Sequence, residues 1–282
     1  MKKIYLITKL YNYDDKVRTC ELENYLVKNF DVEIYMPFRD SKEEFISSNS
    51  WKKEIFEQDI AQIDKCDVLI GFHEFVFDEG IGFEIGYAIS QGKEIYLLNS
   101  DFIRYEVFGK KYDFADPLFE YFNIMLYKGE HNLEYSDFCN DLIQKKKSML
   151  EQITLTYTKD SYRFKNKEKK FEFFIELGNS KFLYSILKDK NISTRLLKWD
   201  SQDDIDRLFS SKKVYVVLDG HQMHTGSSLI CGICYGKKIP FYLVENRVVY
   251  LVGKELMKSN LMIDYASCGY VSYEDFLDEV CK

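Results

Sequence analysis

The stretch CDVLIGFHEFVFDEGIGFEIGYAISQGKEIYLL, residues 66–98, decides the fold. CDVLIGF is an apolar run of strand length, EIYLL at 94–98 is another, and residues 82–91 between them read as a helix. Upstream, IYLIT at 4–8 is a first strand, followed by a helical pattern through Leu22, Tyr25, Leu26 and Phe30, and VEIYMP is a second strand. Residues 51–63 place Ile55, Phe56, Ile60 and Ile63 on one helical stripe. Downstream, NIMLY at 123–127 reads as a strand and Tyr135 to Leu150 as a helix. Strands alternating with helices predict an α/β fold, a parallel sheet covered on both faces.

The charged stretch from about Thr154 to Lys170 lacks apolar periodicity and reads as a connection. After it the pattern starts again. FEFFIEL at 171–177 parallels the first strand, DIDRLFSSKKVYVVLDG parallels EQDIAQIDKCDVLIGF, and GSSLICGICYGKKIPFYLVEN parallels GFEIGYAISQGKEIYLLNS. SNLMIDYASCGYVSYEDFLDEV likewise parallels YFNIMLYKGEHNLEYSDFCNDL. Gly92 and Gly236 are 144 residues apart, and Asp59 and Asp204 are 145 apart. This near-constant offset predicts an internal duplication: tandem flavodoxin-like or Rossmann-like parallel-sheet units over residues 1–152 and 168–282, forming a pseudo-dimer.

Composition agrees with two such units. The chain has 282 residues, 46% hydrophobic and 30% charged, which suits two globular domains of roughly 100–200 residues each. Its net charge of −7 argues against a nucleic-acid polymer or an anionic membrane as partner, and favours a small ligand or a protein. No apolar run approaches the roughly 18 residues of a membrane helix, and no secretory signal is read at the N-terminus, so the expected location is the cytoplasm. Seven scattered cysteines are expected as reduced thiols, with Cys231 and Cys234 as buried structural residues on one helix face. His221 and His224 lack a third ligand at diagnostic spacing, so no metal is assigned; a polar loop is the simpler reading and a second ligand site the alternative.

The chemistry points to residues 78–98. Asp78, Gly80, Gly82 and Glu84 fall just beyond the carboxyl end of a buried strand, where ligands bind in open α/β sheets. Glu84 is expected in the first turn of the following helix, where the positive dipole end favours an ionised, nucleophilic carboxylate. Asp78 is expected across the same pocket, with the two glycines allowing a tight turn and close approach of a ligand.

DEGIGFEIGYAISQGK is similar to the signature of the nucleoside 2-deoxyribosyltransferases, and KIYLI and QDIAQIDKCDVLIG resemble the family's flanking elements, over about residues 3–145. The resemblance implies a retaining exchange at the anomeric carbon of a deoxynucleoside without a cofactor. It makes Glu84 the nucleophile that forms a covalent deoxyribosyl-enzyme, and Asp78 and Asp59 the acids that orient the base and exchange a proton with it. Tyr5 or Tyr11 is implied to hold the nucleophile or pack on the sugar. Family members borrow an Asn from a neighbouring subunit; Asn260, with Met262, is implied to complete the pocket around Glu84, and Asn123 to face the other one. That other pocket reads as disabled, with Ser228 in the place of Glu84 and Gln222 near that of Asp78, although Asp204 keeps the place of Asp59.

Simpler readings stand beside these. Glu84 alone is a helix-start acid, Asp59 a solvated helix residue, Tyr87 either a substrate contact or core packing, and Asn123 and Asn260 ordinary turn residues. The expected partners are a nucleoside or nucleotide and a free nucleobase, with further pairing of the fused chain open. A hydrolase using the same Glu on a nucleoside or nucleoside monophosphate is one alternative, with Arg39, Lys9 and Ser47–Ser48 as hints of a phosphate cradle; a nucleotide sensor with little turnover is another.

Overall fold

The computed structural model describes residues 1–7, 9, 13–41, 50–73, 78–99, 105–107, 110–112, 133–134, 168–169, 171–177, 187, 207–219, 223, 225–246, 250–252, 255–257 and 259–282. The first unit runs β1 (Lys2–Ile7), α1 (Tyr13–Asn29), β2 (Val32–Tyr35), α2 (Pro37–Asp40), α3 (Trp51–Lys65), β3 (Val68–His73), α4 (Glu79–Ser90) and β4 (Glu94–Asn99). A two-stranded antiparallel ribbon of β5 (Tyr105–Val107) and β6 (Lys110–Tyr112) follows, and then β7 (Leu133–Glu134). Its sheet has the order β2-β1-β3-β4-β7 with every pairing parallel.

The second unit runs β8 (Phe171–Glu176), β9 (Ser211–Asp219), α5 (Thr225–Gly236), β10 (Phe241–Asn246), an antiparallel ribbon of β11 (Tyr250–Val252) and β12 (Glu255–Met257), α6 (Leu261–Ala266), β13 (Tyr270–Ser272) and α7 (Tyr273–Val280). Its sheet has the order β13-β10-β9-β8, again all parallel. The α/β class expected from the alternation is the class found. The strand read at 123–127 and the helix at 135–150 lie outside the described residues. The strand that closes the first sheet is β7, further along the chain, and in the second unit NLMIDYA is helix α6 with the strand following it at β13.

Strand alternation distributes the core. On β1, Tyr5 and Ile7 face a central layer while Ile4 and Leu6 face α1 through Leu22 and Leu26; on β9, Val214, Val216 and Leu218 face the same central layer while Tyr215 and Val217 face α7 through Phe276 and Val280. The central layer contains α3, α4, α5 and α6, so the two sheets share one core between them. All twelve residues of α4 are buried, which is why its sequence is apolar around its whole circumference. Burial of Phe83, Ile85 and Ile89 there contributes about 1.5–3 kcal/mol each.

Helices α4 and α5 meet through reciprocal glycines. A Cβ on Gly86 would lie 2.0 Å from the carbonyl oxygen of Leu229, and one on Gly232 would lie 2.0 Å from that of Phe83. Residues 83 and 229, like 86 and 232, are 146 apart, so each helix offers the other the same surface, as an isologous contact requires. Gly92 and Lys238, also 146 apart, both take positive φ (70° and 56°) where the helices turn into β4 and β10. This register differs from the offset read at Gly92 and Gly236. It puts the buried Ile230, rather than Ser228, at the place matching Glu84.

Candidate active site

The site forms where the carboxyl ends of β1 and β2 meet α3, α4 and the start of α6. Asp78 caps α4 by accepting a hydrogen bond from the Gly80 N–H at 2.7 Å. The helix therefore starts at Glu79, three residues earlier than the glycine pattern suggests, because Asp78 supplies the cap that an apolar pattern cannot reveal. Glu84 consequently lies in the second turn, not the first, and the helix N-terminus is not what stabilises its charge.

That role falls to Tyr5. The Tyr5 hydroxyl donates to Glu84 Oε1 at 3.1 Å, with both side chains buried. Burial drives the Glu84 carboxyl well above its ordinary range, the negative charge of Asp59 adds to the rise, and the Tyr5 hydrogen bond opposes it. Asp59, on α3, is pushed up to about 7 by burial, against the hydroxyl of Tyr35, which donates to its Oδ1 at 3.3 Å. Tyr5 and Tyr35 are register partners on β1 and β2, with ring centroids 5.4 Å apart, and Gln58 donates to the Tyr35 hydroxyl at 3.1 Å. Two adjacent phenols thus each hold one of two like-charged carboxyls. Asp78 is raised as well, chiefly by burial, while the Gly80 N–H and the charge of Lys9 pull it down.

These groups line one cleft. Asp59, Asp78, Gly80 and Glu84 form its polar floor, Pro37, Ile55 and Ile81 its apolar walls, and Asn260, Leu261 and Met262 of the second unit its far side. Asn260 caps α6, accepting from the Met262 N–H at 2.9 Å, and donates through Nδ2 to Asp78 Oδ1 at 3.3 Å. Gly80 permits this meeting: a Cβ there would lie 2.9 Å from Asp78 Oδ1 and 3.0 Å from Asn260 Nδ2.

Of the residues named from the sequence, Glu84, Asp78, Asp59, Gly80, Asn260 and Met262 come together, and Tyr5 reaches the cleft through Glu84. Gly82 does not line the cleft, and neither does Tyr87, whose hydroxyl donates to Asp64 at 2.8 Å and whose ring lies 5.6 Å from that of Tyr235. Its place is in the core. Tyr11 and Asn123 lie outside the described residues, as do Ser47, Ser48, Asp204, His221, Gln222 and His224. Arg39 is engaged by Glu23, Asp40 and the Ile34 carbonyl, which removes it as a phosphate cradle. Cys231 and Cys234 are buried thiols in α5. Among the described residues no group of three or more His, Cys, Asp and Glu side chains could hold a metal ion, and no helix is long and apolar enough to cross a membrane.

Sequence reading missed Tyr35 and Glu79. The alternation of VEIY could have placed Tyr35 beside Tyr5, but nothing local marks Glu79, whose partners lie far away in the chain.

Among known proteins, the chain matches the family model described as nucleoside 2-deoxyribosyltransferase over residues 4–125. Similar solved structures include a 2-deoxyribosyltransferase of the psychrotolerant bacterium Bacillus psychrosaccharolyticus, at 22% identity, covering 38% of this chain and 79% of that one with a TM-score of 0.33. Another is a conserved protein of Enterococcus faecalis V583, at 19% identity, covering 55% of this chain and 98% of that one with a TM-score of 0.36. No curated protein gives a match. Residues 4–125, which hold all three carboxyls of the cleft floor, are a domain of the nucleoside 2-deoxyribosyltransferase family.

Proposed function

We propose that this chain breaks the N-glycosidic bond of a 2-deoxynucleoside through a covalent sugar ester on Glu84 and transfers the sugar to a second base. The observation that carries this reading is the Tyr5–Glu84 hydrogen bond beside Asp59 and Asp78 in one cleft. Burial raises all three carboxyls above their ordinary range, and repulsion within the cluster adds to the rise at Glu84, which favours a proton held among them. The productive arrangement has Glu84 ionised, stabilised by the Tyr5 hydroxyl, and a protonated acid facing the base. As the bond from the anomeric carbon to the base nitrogen breaks, the nitrogen takes the electron pair and a proton from Asp59 or Asp78. A Glu84 oxygen forms the new bond to carbon as the base departs, giving the covalent sugar ester. The second base attacks the same carbon, displaces Glu84, and returns a proton to the acid. This is the division of labour between two carboxyls in retaining glycosidases.

The second unit serves in this reading as a degenerate copy that completes the first unit's cleft through Asn260 and Met262. The reciprocal glycines and the matching ribbons after β4 and β10 support an origin by duplication, with the units at 1–152 and 168–282. The copy has lost its chemistry at two matched places. Ile230 occupies the place of Glu84. Following strand register from β1 through β3 and from β8 through β9, with Leu69 matched to Val214 on the common face, Phe174 occupies the place of Tyr5.

The test is incubation with a 2-deoxynucleoside, with and without a second free base. The expected result is base exchange and a deoxyribosyl mass on the peptide containing Glu84, both absent in Glu84→Ala. Release of free sugar with no exchange would assign hydrolysis instead, and normal turnover by Glu84→Ala would refute the nucleophile.

A further inference from the structure

Glu79 takes no part in the reaction proposed above, yet its carboxylate is buried at the seam between the two units. Oε1 accepts the backbone N–H of Met223 at 2.5 Å, and Oε2 accepts the backbone N–H of Asn260 at 3.2 Å. Both donors belong to the second unit. Asn260 in turn reaches Asp78, the neighbour of Glu79 in sequence, while its own Oδ1 holds the first turn of α6 through Met262. Two consecutive acids of the first unit therefore grip one residue of the second, Glu79 by its backbone and Asp78 by its side chain. Gly80, the third residue of the same turn, has no room for a Cβ beside that contact.

We propose that Glu79 is a positioning residue that sets Asn260 against Asp78 and so fixes the far wall of the cleft against the substrate. The role in turnover rests on the functional reading above; the grip itself does not. A carboxylate suits the task because both of its oxygens only accept. Glutamine at the same place offers one accepting oxygen and turns its NH₂ toward the other N–H, donor against donor. Loss of one charge-assisted hydrogen bond of this kind corresponds to about a tenfold to hundredfold change in an equilibrium.

The experiment compares base exchange by the full chain as wild type, Glu79→Gln, Asn260→Ala and the double variant, with amide hydrogen exchange on each. Glu79→Gln is expected to lower kcat/KM by about tenfold or more, chiefly through KM, because Asn260 contributes binding rather than bond-breaking. On the Asn260→Ala background the same substitution is expected to cost less than about threefold, since it acts through the residue already removed. Equal losses on both backgrounds, or a loss confined to kcat, overturn the proposal. Amide exchange at Met223 and Asn260 is expected to accelerate in Glu79→Gln, and unchanged protection at both also overturns it. That readout needs no turnover, so a wild type that exchanges no bases would defeat the functional reading and leave the grip to be judged separately. Glu79→Asp, which keeps the charge and shortens the reach, carries the same expectations should Glu79→Gln fail to fold.

Discussion

Replacing Asp59 by asparagine should make the protein more stable above neutral pH while lowering its activity. Burial in the cleft raises this carboxyl from 3.8 to about 7. At 1.36 kcal/mol for each decade, the difference between folded and unfolded chain corresponds to about 4 kcal/mol. Because the folded value is the higher one, the contribution is complete below about pH 4, where both states carry the proton. It is lost as the pH rises to about 7, because the unfolded chain releases the proton while the folded chain retains it. Above that the folded protein carries a buried charge beside Glu84. Asparagine has nearly the same shape and can still accept from Tyr35, but has no proton to lose.

Urea unfolding of both proteins between about pH 4 and 8.5 reads this directly. The two should be similar at the acid end, and the variant should gain on the wild type by about 4 kcal/mol by the alkaline end. Glu84, raised in the same direction, gives both proteins a further decline with pH, so the diagnostic quantity is their difference. Curves that stay parallel within about 1 kcal/mol would mean that Asp59 is solvated or paired in solution, and the account of a strained carboxyl cluster would fall.

Tyr5→Phe removes the hydroxyl that favours ionised Glu84, so single-turnover sugar transfer should slow by about tenfold to hundredfold and the acid limb of its pH profile should move to higher pH; an unmoved limb would contradict the role given to this hydrogen bond. Gly86→Ala drives a methyl group into the Leu229 carbonyl and should cost about 3 kcal/mol or more in calorimetry, and a melting temperature like that of the wild type would show that α4 and α5 do not cross so closely. Ile230→Glu should be severely destabilising, and adding Phe174→Tyr should recover about 1.5–3 kcal/mol of the loss if these places correspond to Glu84 and Tyr5. Effects of the two changes that simply add, within about 0.5 kcal/mol, would reject the correspondence.

The strands and the class of fold were legible because the apolar runs at 4–8, 66–72 and 94–98 each carry the pattern of a strand buried on both faces. The acids of the cleft were legible through the family signature, and the composite nature of the cleft through the repeat. Elements whose place depends on a side-chain cap or on partners elsewhere in the chain were not. The start of α4 depends on a cap and the register of the repeat on a pair of close helix contacts, so Glu84 was read one turn too early and Ser228 was matched to it in place of Ile230. Tyr87 sits in the same signature and on nearly the same helix face as Glu84, but one turn further along α4 its hydroxyl meets Asp64 instead of the cleft, a partner that the signature does not reveal.

A duplicated unit that packs on its own copy begins with two equivalent clefts, each needing residues from the other side. Once the copies share a chain they are free to diverge, and physics couples the changes at each cleft. A carboxyl in the position of Glu84 is tolerable only while a hydroxyl such as that of Tyr5 compensates part of its desolvation, and it is stabilising in neither case. When one of the pair is lost in a cleft without selected chemistry, the other becomes a buried polar group with no function, and its replacement by an apolar side chain of similar size recovers stability. On the proposed duplication, Ile230 and Phe174 would be that outcome: a carboxyl turned into core and a phenol reduced to its ring. On the same correspondence Thr225 would take the place of Glu79, whose carboxylate the first unit uses to hold the second. On this reading the second unit could lose its own cleft and still be needed, because Asn260 and Met262 on the far side of the first unit's cleft come from the second unit.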